Sequence, residues 1–164
     1  MRGQKELYDI LNRLSIRFEY HEHPPLTTIE EGRIYWRDID SGKCKNIFFR
    51  NHKGNRHYLV ILEHLRQLNI HDLEKRLRQG KLTFASDARL KRYLGLEPGS
   101  VSPFGLINDH DKHVHLFIDE KLYESEKLAF HPNVNDATLV ISKPDLFKFL
   151  DFTGNSYEFI KLYD

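Results

Sequence analysis

Two apolar segments joined by a short polar loop restrict the fold more than any other feature of this sequence. Residues 45–50 and 56–62 are rich in the β-branched and aromatic side chains typical of strands, and Asn51–Asn55 between them has hairpin-loop composition. Consecutive apolar positions in the first segment indicate burial on both faces of a sheet. The sequence therefore predicts a β-hairpin in the interior of the fold.

Helical and strand-like patterns alternate along the rest of the chain. Leu7, Ile10, Leu11 and Leu14 predict an amphipathic helix over about residues 3–14, and Thr28 with Glu31 forms a capping box that starts a helix towards Ile39. Further helices are predicted over 70–79, over 87–94 and from Lys143, and further strands over 16–21, 82–84, 113–119, 127–131, 137–142 and 157–162. Leu106-Ile107 is predicted to enter a strand, and 108–112 to turn the chain into 113–119 as a second hairpin.

These elements predict a mixed α/β fold with one domain over residues 1–164. We expect a mixed, largely antiparallel sheet that curls into a partial barrel with helices around it. The 164 residues suffice for a sizeable core, and there is no internal repeat.

Composition favours a cytoplasmic protein. Hydrophobic residues make up 40% of the chain and charged residues 30%, without a membrane-length apolar run or a signal peptide. The single cysteine, Cys44, excludes an internal disulfide and a cysteine-cluster metal site, which agrees with a reducing compartment.

Basic residues concentrate in the middle of the chain. From His64 to Arg92 there are eight Lys or Arg against three Asp or Glu, although the whole chain has a net charge of only +1. Such a segment suits a partner with phosphates, and a solvated helix face has the same composition. The candidate contacts to tRNA are Arg66, Arg76, Arg78 and Lys81.

Three stretches carry candidate chemistry, and each also has a structural interpretation. The Gly- and Pro-rich loop 97–108 can present backbone N–H groups to an oxygen, or it simply connects two elements. Lys45 can reach a carbonyl or phosphate from a strand end, or it is a solvated lysine. His131-Pro132-Asn133 begins a polar loop that can orient an ester or form a self-bonded turn.

Histidines and the cysteine suggest two other chemistries. His110, His113 and His115 resemble a metal-binding pattern, but no carboxylate or thiolate completes it, so structural or solvent-exposed histidines are favoured, as for His21 and His23. Cys44 with His131 as its base is a conceivable nucleophile, although a lone cysteine before a buried strand is more often an apolar filler.

Three motifs in order resemble the signature of the YbaK/ProX family, the bacterial editing domains related to the insertion domain of prolyl-tRNA synthetase. They are Lys45-Asn46-Ile47-Phe48-Phe49-Arg50, then residues 99–108, then residues 131–138. The likeness spans nearly the whole chain and is greatest to the freestanding ProX or PrdX branch. It implies hydrolysis by water of a wrong aminoacyl ester, alanine first, on tRNA(Pro), without a metal or cofactor.

The resemblance also implies roles for individual residues. Lys45, Gly105 and His131 are the expected catalytic residues, with Gly105 in the loop that binds the carbonyl oxygen through N–H groups. The expected substrate contacts are Asn46, Ser102, Pro103, Phe104, Asn133, Asn135 and Thr138. Prolyl-tRNA synthetase is an expected partner alongside tRNA(Pro), and no membrane is expected.

Other functions remain open on the sequence alone. They are deacylation of a Cys- or Ser-charged tRNA, a non-catalytic tRNA-binding module, and a metallohydrolase on the three histidines. Gly32 stands where the family usually has alanine, and the bulky pair Tyr35-Trp36 follows it. If this helix borders the pocket, these departures affect the amino-acid specificity more than the reaction.

Overall fold

The architecture comes from a computed structural model, which describes residues 1–26, 29–37, 40–63 and 66–164. The strands of that part are β1 Glu19–Glu22, β2 Gly42–Asn51, β3 His57–Glu63, β4 Leu82–Phe84, β5 His115–Asp119, β6 Lys127–Phe130, β7 Ala137–Ser142 and β8 Tyr157–Ile160. They form one mixed sheet in the order β1-β7-β6-β2-β3-β5-β8, with β4 also paired to β2. The predicted hairpin is confirmed, since β2 and β3 pair antiparallel from Cys44 with Glu63 to Arg50 with His57.

The helices of the described residues lie between these strands. They are α1 Lys5–Arg13, α2 Ile29–Trp36, α3 Ile70–Leu77, α4 Asp87–Leu94 and α5 Lys143–Thr153. Side chains of Asn69, Ser86 and Ser142 accept N–H groups in the first turns of α3, α4 and α5, so local capping fixes where these helices begin. The capping-box residue Thr28 and the predicted helix end at Ile39 lie outside the described residues.

Apolar side chains cover both faces of the sheet. On one face, Phe48 and Ile61 belong to a cluster with α1, α4 and α5. On the other face, Phe49 and Val60 pack with α3. Because successive residues of a strand point to opposite faces, this two-sided burial explains the uninterrupted apolar run of β2.

Two local predictions were wrong. The segment Pro103–Asn108 forms a 3₁₀ helix and not the start of a strand. Strand β5 does not form a hairpin with a neighbour in sequence, because it pairs parallel with β3 on one side and with β8 on the other. The second error comes from strand pairing between segments that are remote in sequence. Within the described residues, no helix is long and apolar enough to cross a membrane.

Candidate active site

A small cavity lies where the first residues of β2 meet β6 and β7. Its volume is about 30 Å³, and its lining includes Lys43, Cys44, Asn46, His131 and Thr138. Parallel pairing of Gly42 with Leu128 and of Lys43 with Ala129 brings β2 against β6 at this point. The structure therefore brings together Asn46, His131 and Thr138, three residues that the sequence predicts for one site.

Asn46 presents a hydrogen-bond acceptor at the cavity. It shares a face of β2 with Phe48, and it is opposite Ile61 of β3. Its Oδ1 atom is buried and has no hydrogen-bond partner among the described residues. A buried amide oxygen without a partner costs free energy, so a ligand with an N–H donor would satisfy it.

A chain of hydrogen bonds fixes His23 and Thr138 beside the cavity. His23 is buried, its Nδ1 lies 3.0 Å from Pro24 O, and its Nε2 lies 2.8 Å from Thr138 Oγ1. Because a carbonyl only accepts, Nδ1 donates to Pro24 O, and Nε2 shares a hydrogen bond with the Thr138 hydroxyl. His23 thereby fixes the orientation of the Thr138 hydroxyl. The sequence did not indicate this pair.

His131 lies on the wall of the same cavity. Its Nδ1 donates to Ala137 O at 2.8 Å, and its ring centroid is 5.9 Å from that of His23. Burial lowers the pKa of His131 below its ordinary value, which favours the neutral ring at physiological pH. A neutral ring with a protonated Nδ1 keeps its other nitrogen as an acceptor.

Lys43 and Lys45 both lie on β2, and because residues two apart in a strand point to the same side, they share one face of it. Lys43 lines the cavity, and its ammonium donates to the carbonyl and hydroxyl oxygens of Ser41. Lys45 and Ile47 share this face, which is opposite to that of Asn46, and the Lys45 ammonium lies 3.4 Å from Arg66 O. The lysine nearer the cavity is thus Lys43, which the sequence did not indicate, and the expected catalytic role of Lys45 stays a prediction.

The glycine-rich loop packs beside the cavity and uses its own polar groups. Gly105 N–H donates to Ser102 O at 3.1 Å, and Phe104 N–H donates to Ser102 Oγ at 3.1 Å. Ser102, Pro103 and Phe104 are buried, and the Phe104 ring packs edge-on against Phe149. This arrangement favours a structural role for these three side chains. The Gly105 N–H, which the resemblance assigns to the substrate carbonyl, is hydrogen-bonded within the loop.

The polar loop after His131 is tied to the glycine-rich loop through Gln4. The Asn133 amide donates to Gln4 Oε1 at 2.9 Å and to Phe104 O at 3.3 Å, while Gln4 Nε2 donates to Asn108 Oδ1 at 2.8 Å. Asn133 adopts a positive φ of 64°. Asn135 lies beside Gly99, with its Nδ2 3.6 Å from the position of a Cβ there. Both asparagines therefore contact the neighbouring loop.

Burial makes Cys44 a poor nucleophile. It raises the pKa of the thiol to about 12, so the thiol is protonated at neutral pH. This supports the interpretation of Cys44 as an apolar filler of the cavity wall.

The three histidines of the metal-like pattern have separate environments. His113 Nε2 lies 2.9 Å from His57 Nδ1, whereas His115 lies 2.6 Å from Ser156 Oγ and 3.3 Å from Glu158. His110 is exposed in its turn. No group of three metal-binding side chains occurs within the described part of the chain.

Protonation of His57 is expected to destabilise the fold below neutral pH. Burial, His113 and then Arg89 lower the pKa of His57 to about 4. Because the unfolded state takes up this proton from about pH 6.5 downwards, stability falls between pH 6.5 and pH 4. Urea unfolding should show a loss of about 2 kcal/mol on going from pH 6.5 to pH 5. His57→Gln should remove this loss. The control variant His52→Gln, at an exposed turn residue, should keep it. An equal dependence of the unfolding free energy on pH in both variants would contradict the assignment.

The cations predicted to contact tRNA differ in their surroundings. Arg66 lies 3.5 Å from Glu63 and over the Tyr163 ring, and Arg76 pairs with Asp72 and Asp164 at 2.9 Å each. Arg78 and Lys81 are exposed on either side of Gly80. His64, where the basic segment begins, lies outside the described residues. The structure therefore leaves Arg78 and Lys81 as the more accessible pair.

Helix α2 lies close to the cavity. The Tyr35 ring centroid is 5.9 Å from that of His23, and Tyr35 is 42% exposed. Gly32 of the same helix is buried. The departure at Tyr35 therefore falls next to His23, which is hydrogen-bonded to the cavity residue Thr138.

Comparison with known proteins identifies the family. A family model described as an aminoacyl-tRNA editing domain matches residues 23–149. The chain belongs to the aminoacyl-tRNA editing domain family. Editing domains hydrolyse wrong aminoacyl esters, so the resemblance and the enzyme class predicted from the three motifs are confirmed.

Relatives of this editing domain cover nearly its whole length. It is 39% identical over 153 residues to the prolyl-tRNA editing protein ProX of Acetoanaerobium sticklandii, which covers 93% of each chain. It is 35% identical to the prolyl-tRNA synthetase associated domain-containing protein 1 of Mus musculus, over 92% of this chain and 90% of that one. A crystal structure of a candidate trans-editing enzyme for prolyl-tRNA synthetase has the same fold, with a TM-score of 0.67, 20% identity, and coverage of 98% and 99%.

Proposed function

We propose that this editing domain acts in trans, in the cytoplasm, on tRNA(Pro) that carries the wrong amino acid, and that its principal substrate is Ala-tRNA(Pro). The observation that carries the proposal is the cavity of about 30 Å³ with the buried Asn46 Oδ1 on its wall, an atom without a hydrogen-bond partner in the described part of the chain. The relative named ProX supports the choice of tRNA.

Cavity size supports a small amino acid. A water needs about 10–15 Å³ measured in this way, so the cavity holds roughly two waters or one small alkyl group. The methyl of alanine fits this space, whereas the ring of proline carries two more carbons. Each extra methylene is worth about 1–3 kcal/mol in such a pocket, which suffices to spare Pro-tRNA(Pro). Serine and cysteine are close to alanine in size, so discrimination among these three is expected to be weaker.

The residues around the cavity suggest how the ester is held. Asn46 Oδ1 accepts a hydrogen bond from the α-ammonium of the amino acid, and Thr138, fixed by His23, orients the carboxyl end. The ammonium of Lys43 polarises the ester carbonyl and stabilises the negative charge that develops on its oxygen. Lys45, whose ammonium lies beside the carbonyl of Arg66, binds a phosphate of the terminal nucleotide. The exposed Arg78 and Lys81 contact the tRNA backbone further away.

The proposed chemistry is a direct hydrolysis. Water adds to the carbonyl carbon, the tetrahedral intermediate collapses, and the bond from that carbon to the ribose oxygen breaks. The proton lost by water passes to the ribose oxygen, with the neighbouring ribose hydroxyl as relay, so the products are free alanine and tRNA(Pro). Neutral His131 positions the water or the ester without forming a covalent intermediate.

A deacylation panel tests this proposal. Purified protein is incubated with tRNA(Pro) charged with alanine, serine, cysteine or proline, and release of the radiolabelled amino acid is followed. Alanine should be released at least about tenfold faster than proline. Asn46→Leu, which keeps the size but removes the acceptor, should slow release of alanine by about five- to 100-fold.

Each other outcome of the panel has a defined meaning. Binding of tRNA without release of any amino acid would support the non-catalytic module and reject the enzyme. Preferential release of cysteine or serine would reject alanine as the principal substrate. Repeating the panel with added prolyl-tRNA synthetase tests that partner, since a rate that rises only in its presence would contradict a freestanding enzyme.

A further inference from the structure

A second cavity lies at the ends of three parallel strands. Strands β3, β5 and β8 run in the same direction and end at Glu63, Asp119 and Ile160. Beyond these ends lies a groove of about 570 Å³ whose lining includes Arg66, Asp119, Lys121, Tyr123, Phe159 and Tyr163. Ligands of α/β proteins often bind outside the carboxyl ends of parallel strands. Apart from the tRNA contact predicted for Arg66, the proposed reaction leaves this groove unused.

A buried carboxylate lies at the base of the groove, beside the backbone N–H groups of Lys121 and Glu63. Asp119 is only 2% exposed, and its Oδ1 accepts the Lys121 N–H at 3.1 Å. Its Oδ2 and the hydroxyl of Tyr163 are buried without a hydrogen-bond partner among the described residues. Such atoms cost free energy unless a donor reaches them, so the groove is prepared for a ligand with N–H groups.

Aromatic rings form the wall next to this carboxylate. Tyr123 is 53% exposed, its ring lies 5.4 Å from that of Phe159, and the ammonium of Lys143 lies 4.1 Å from its centroid. An exposed ring held by a second ring is the platform on which unpaired bases stack in proteins that bind single-stranded nucleic acid.

The charges of the groove argue against a phosphate as the main ligand. Lys121 lies 3.3 Å from Glu124, Arg66 lies 3.5 Å from Glu63, and the Asp164 carboxylate is paired with Arg76 at 2.9 Å. The lining also contains Lys161, so among the described residues its three bases stand against four acids, Asp119, Glu120, Glu124 and Asp164. A flat, uncharged ligand with an N–H donor fits this surface better than an anion does.

We propose that the groove binds an unpaired cytosine of the tRNA 3′ end. Its exocyclic amino group donates to Asp119 Oδ2, and its ring stacks on Tyr123. Uracil presents an oxygen at the position of that amino group and would face the carboxylate with a second acceptor.

The inference rests on the proposed function, because the two nucleotides before the terminal adenosine of every tRNA are cytidines. Lys45 connects the two sites. Its ammonium is 3.4 Å from the carbonyl of Arg66, which lines the groove, while the adjacent Asn46 lines the small cavity.

Nucleoside titrations of the full-length protein, followed by NMR of its backbone amides, test the groove directly. Cytidine should shift the amides around residues 119–124 and bind at least about tenfold more tightly than uridine. Cytidine 5′-monophosphate should bind about as well as cytidine, with little dependence on salt. Equal binding of cytidine and uridine, or no binding of either, would overturn the proposal, and so would binding that requires the phosphate.

Two variants and a control sharpen the test. Asp119→Asn keeps the acceptor for the Lys121 N–H and turns an NH₂ group towards the base, so the preference should reverse in favour of uridine. Tyr123→Ala should weaken cytidine binding about fivefold or more. Phe84→Ala removes another aromatic ring that is also 53% exposed but lies outside the groove, and it should leave binding unchanged. An unchanged preference in Asp119→Asn or a loss in Phe84→Ala would contradict the assignment.

Failure of the groove can be distinguished from failure of the reaction. The alanyl ester of adenosine lacks both cytosines and reports the reaction alone. In Tyr123→Ala, hydrolysis of this small ester should match the unmodified protein, while hydrolysis of Ala-tRNA(Pro) should show an increased KM. Hydrolysis of both substrates without cytidine binding would reject the groove only, and hydrolysis of neither would reject the proposed function.

Discussion

Replacing Lys43 with methionine is expected to lower kcat for release of alanine from Ala-tRNA(Pro) about 100- to 1,000-fold. A donor that stabilises an oxyanion typically contributes this much, and Lys43 is the lysine that lines the small cavity. KM should change little, because the interaction strengthens only as charge develops on the carbonyl oxygen. Single-turnover and steady-state rates measured on the same tRNA preparation separate the two parameters.

Lys45→Met provides the matched comparison at the neighbouring lysine. Its ammonium lies 3.4 Å from Arg66 O, and the lysine that lines the small cavity is Lys43, so loss of Lys45 should raise KM about 10- to 150-fold through one missing charge-assisted contact to phosphate. Lys45→Arg should restore most of the binding. The opposite result would be a large loss of kcat in Lys45→Met with an unchanged kcat in Lys43→Met. It would reverse the two roles and place the carbonyl contact on Lys45, as the family motif implies.

Gly105→Ala is expected to destabilise the protein by about 1–3 kcal/mol and to leave kcat of the folded enzyme within about threefold of its original value. A Cβ at this position would stand 2.7 Å from Leu96 Cδ1 and 3.1 Å from Leu94 O, so the α4 end and the loop must move apart. The substitution keeps the backbone N–H, which donates to Ser102 O. Thermal unfolding gives the stability, and assays well below the midpoint give kcat.

The same variant distinguishes packing from catalysis. If kcat falls more than about 100-fold while the protein remains folded, the loop stabilises the oxyanion and the resemblance is right about Gly105. Ser100→Ala is a useful control, because its hydroxyl bonds Glu97 O within the same loop and its loss should affect neither measurement strongly.

Local sequence signals predicted most of the elements, since caps and periodicity act within a few residues. Helix α4 begins after Ser86 and ends at Gly95, as its N-cap and C-cap residues indicate. The 3₁₀ helix was missed although its signal was present, since Ser102 is an N-cap and Pro103 occupies the first turn. The apolar pair Leu106-Ile107 favours a strand in the sequence, but buried apolar residues occur equally in a strand and in a 3₁₀ helix.

The sequence indicated some residues of the candidate site, and there is a physical reason why it did not indicate the others. Asn46, His131 and Thr138 meet at one cavity, as the order of the motifs implied. The parallel pairing of β2 with β6 could not be inferred from local patterns, and it determines that Lys43 lines the cavity. The hydrogen bond of His23 could not be predicted either, because its partner Thr138 is 115 residues away in the sequence.

The bridge made by Gln4 couples catalytic competence to the beginning of the chain. Its side chain reaches Asn133 across 129 residues and Asn108 across 104, so both loops acquire their final positions only when α1 has docked. Local unfolding of α1 would therefore abolish editing while the sheet remains folded. Bulky tags fused directly to Met1 are accordingly expected to impair turnover at temperatures where the sheet is still intact.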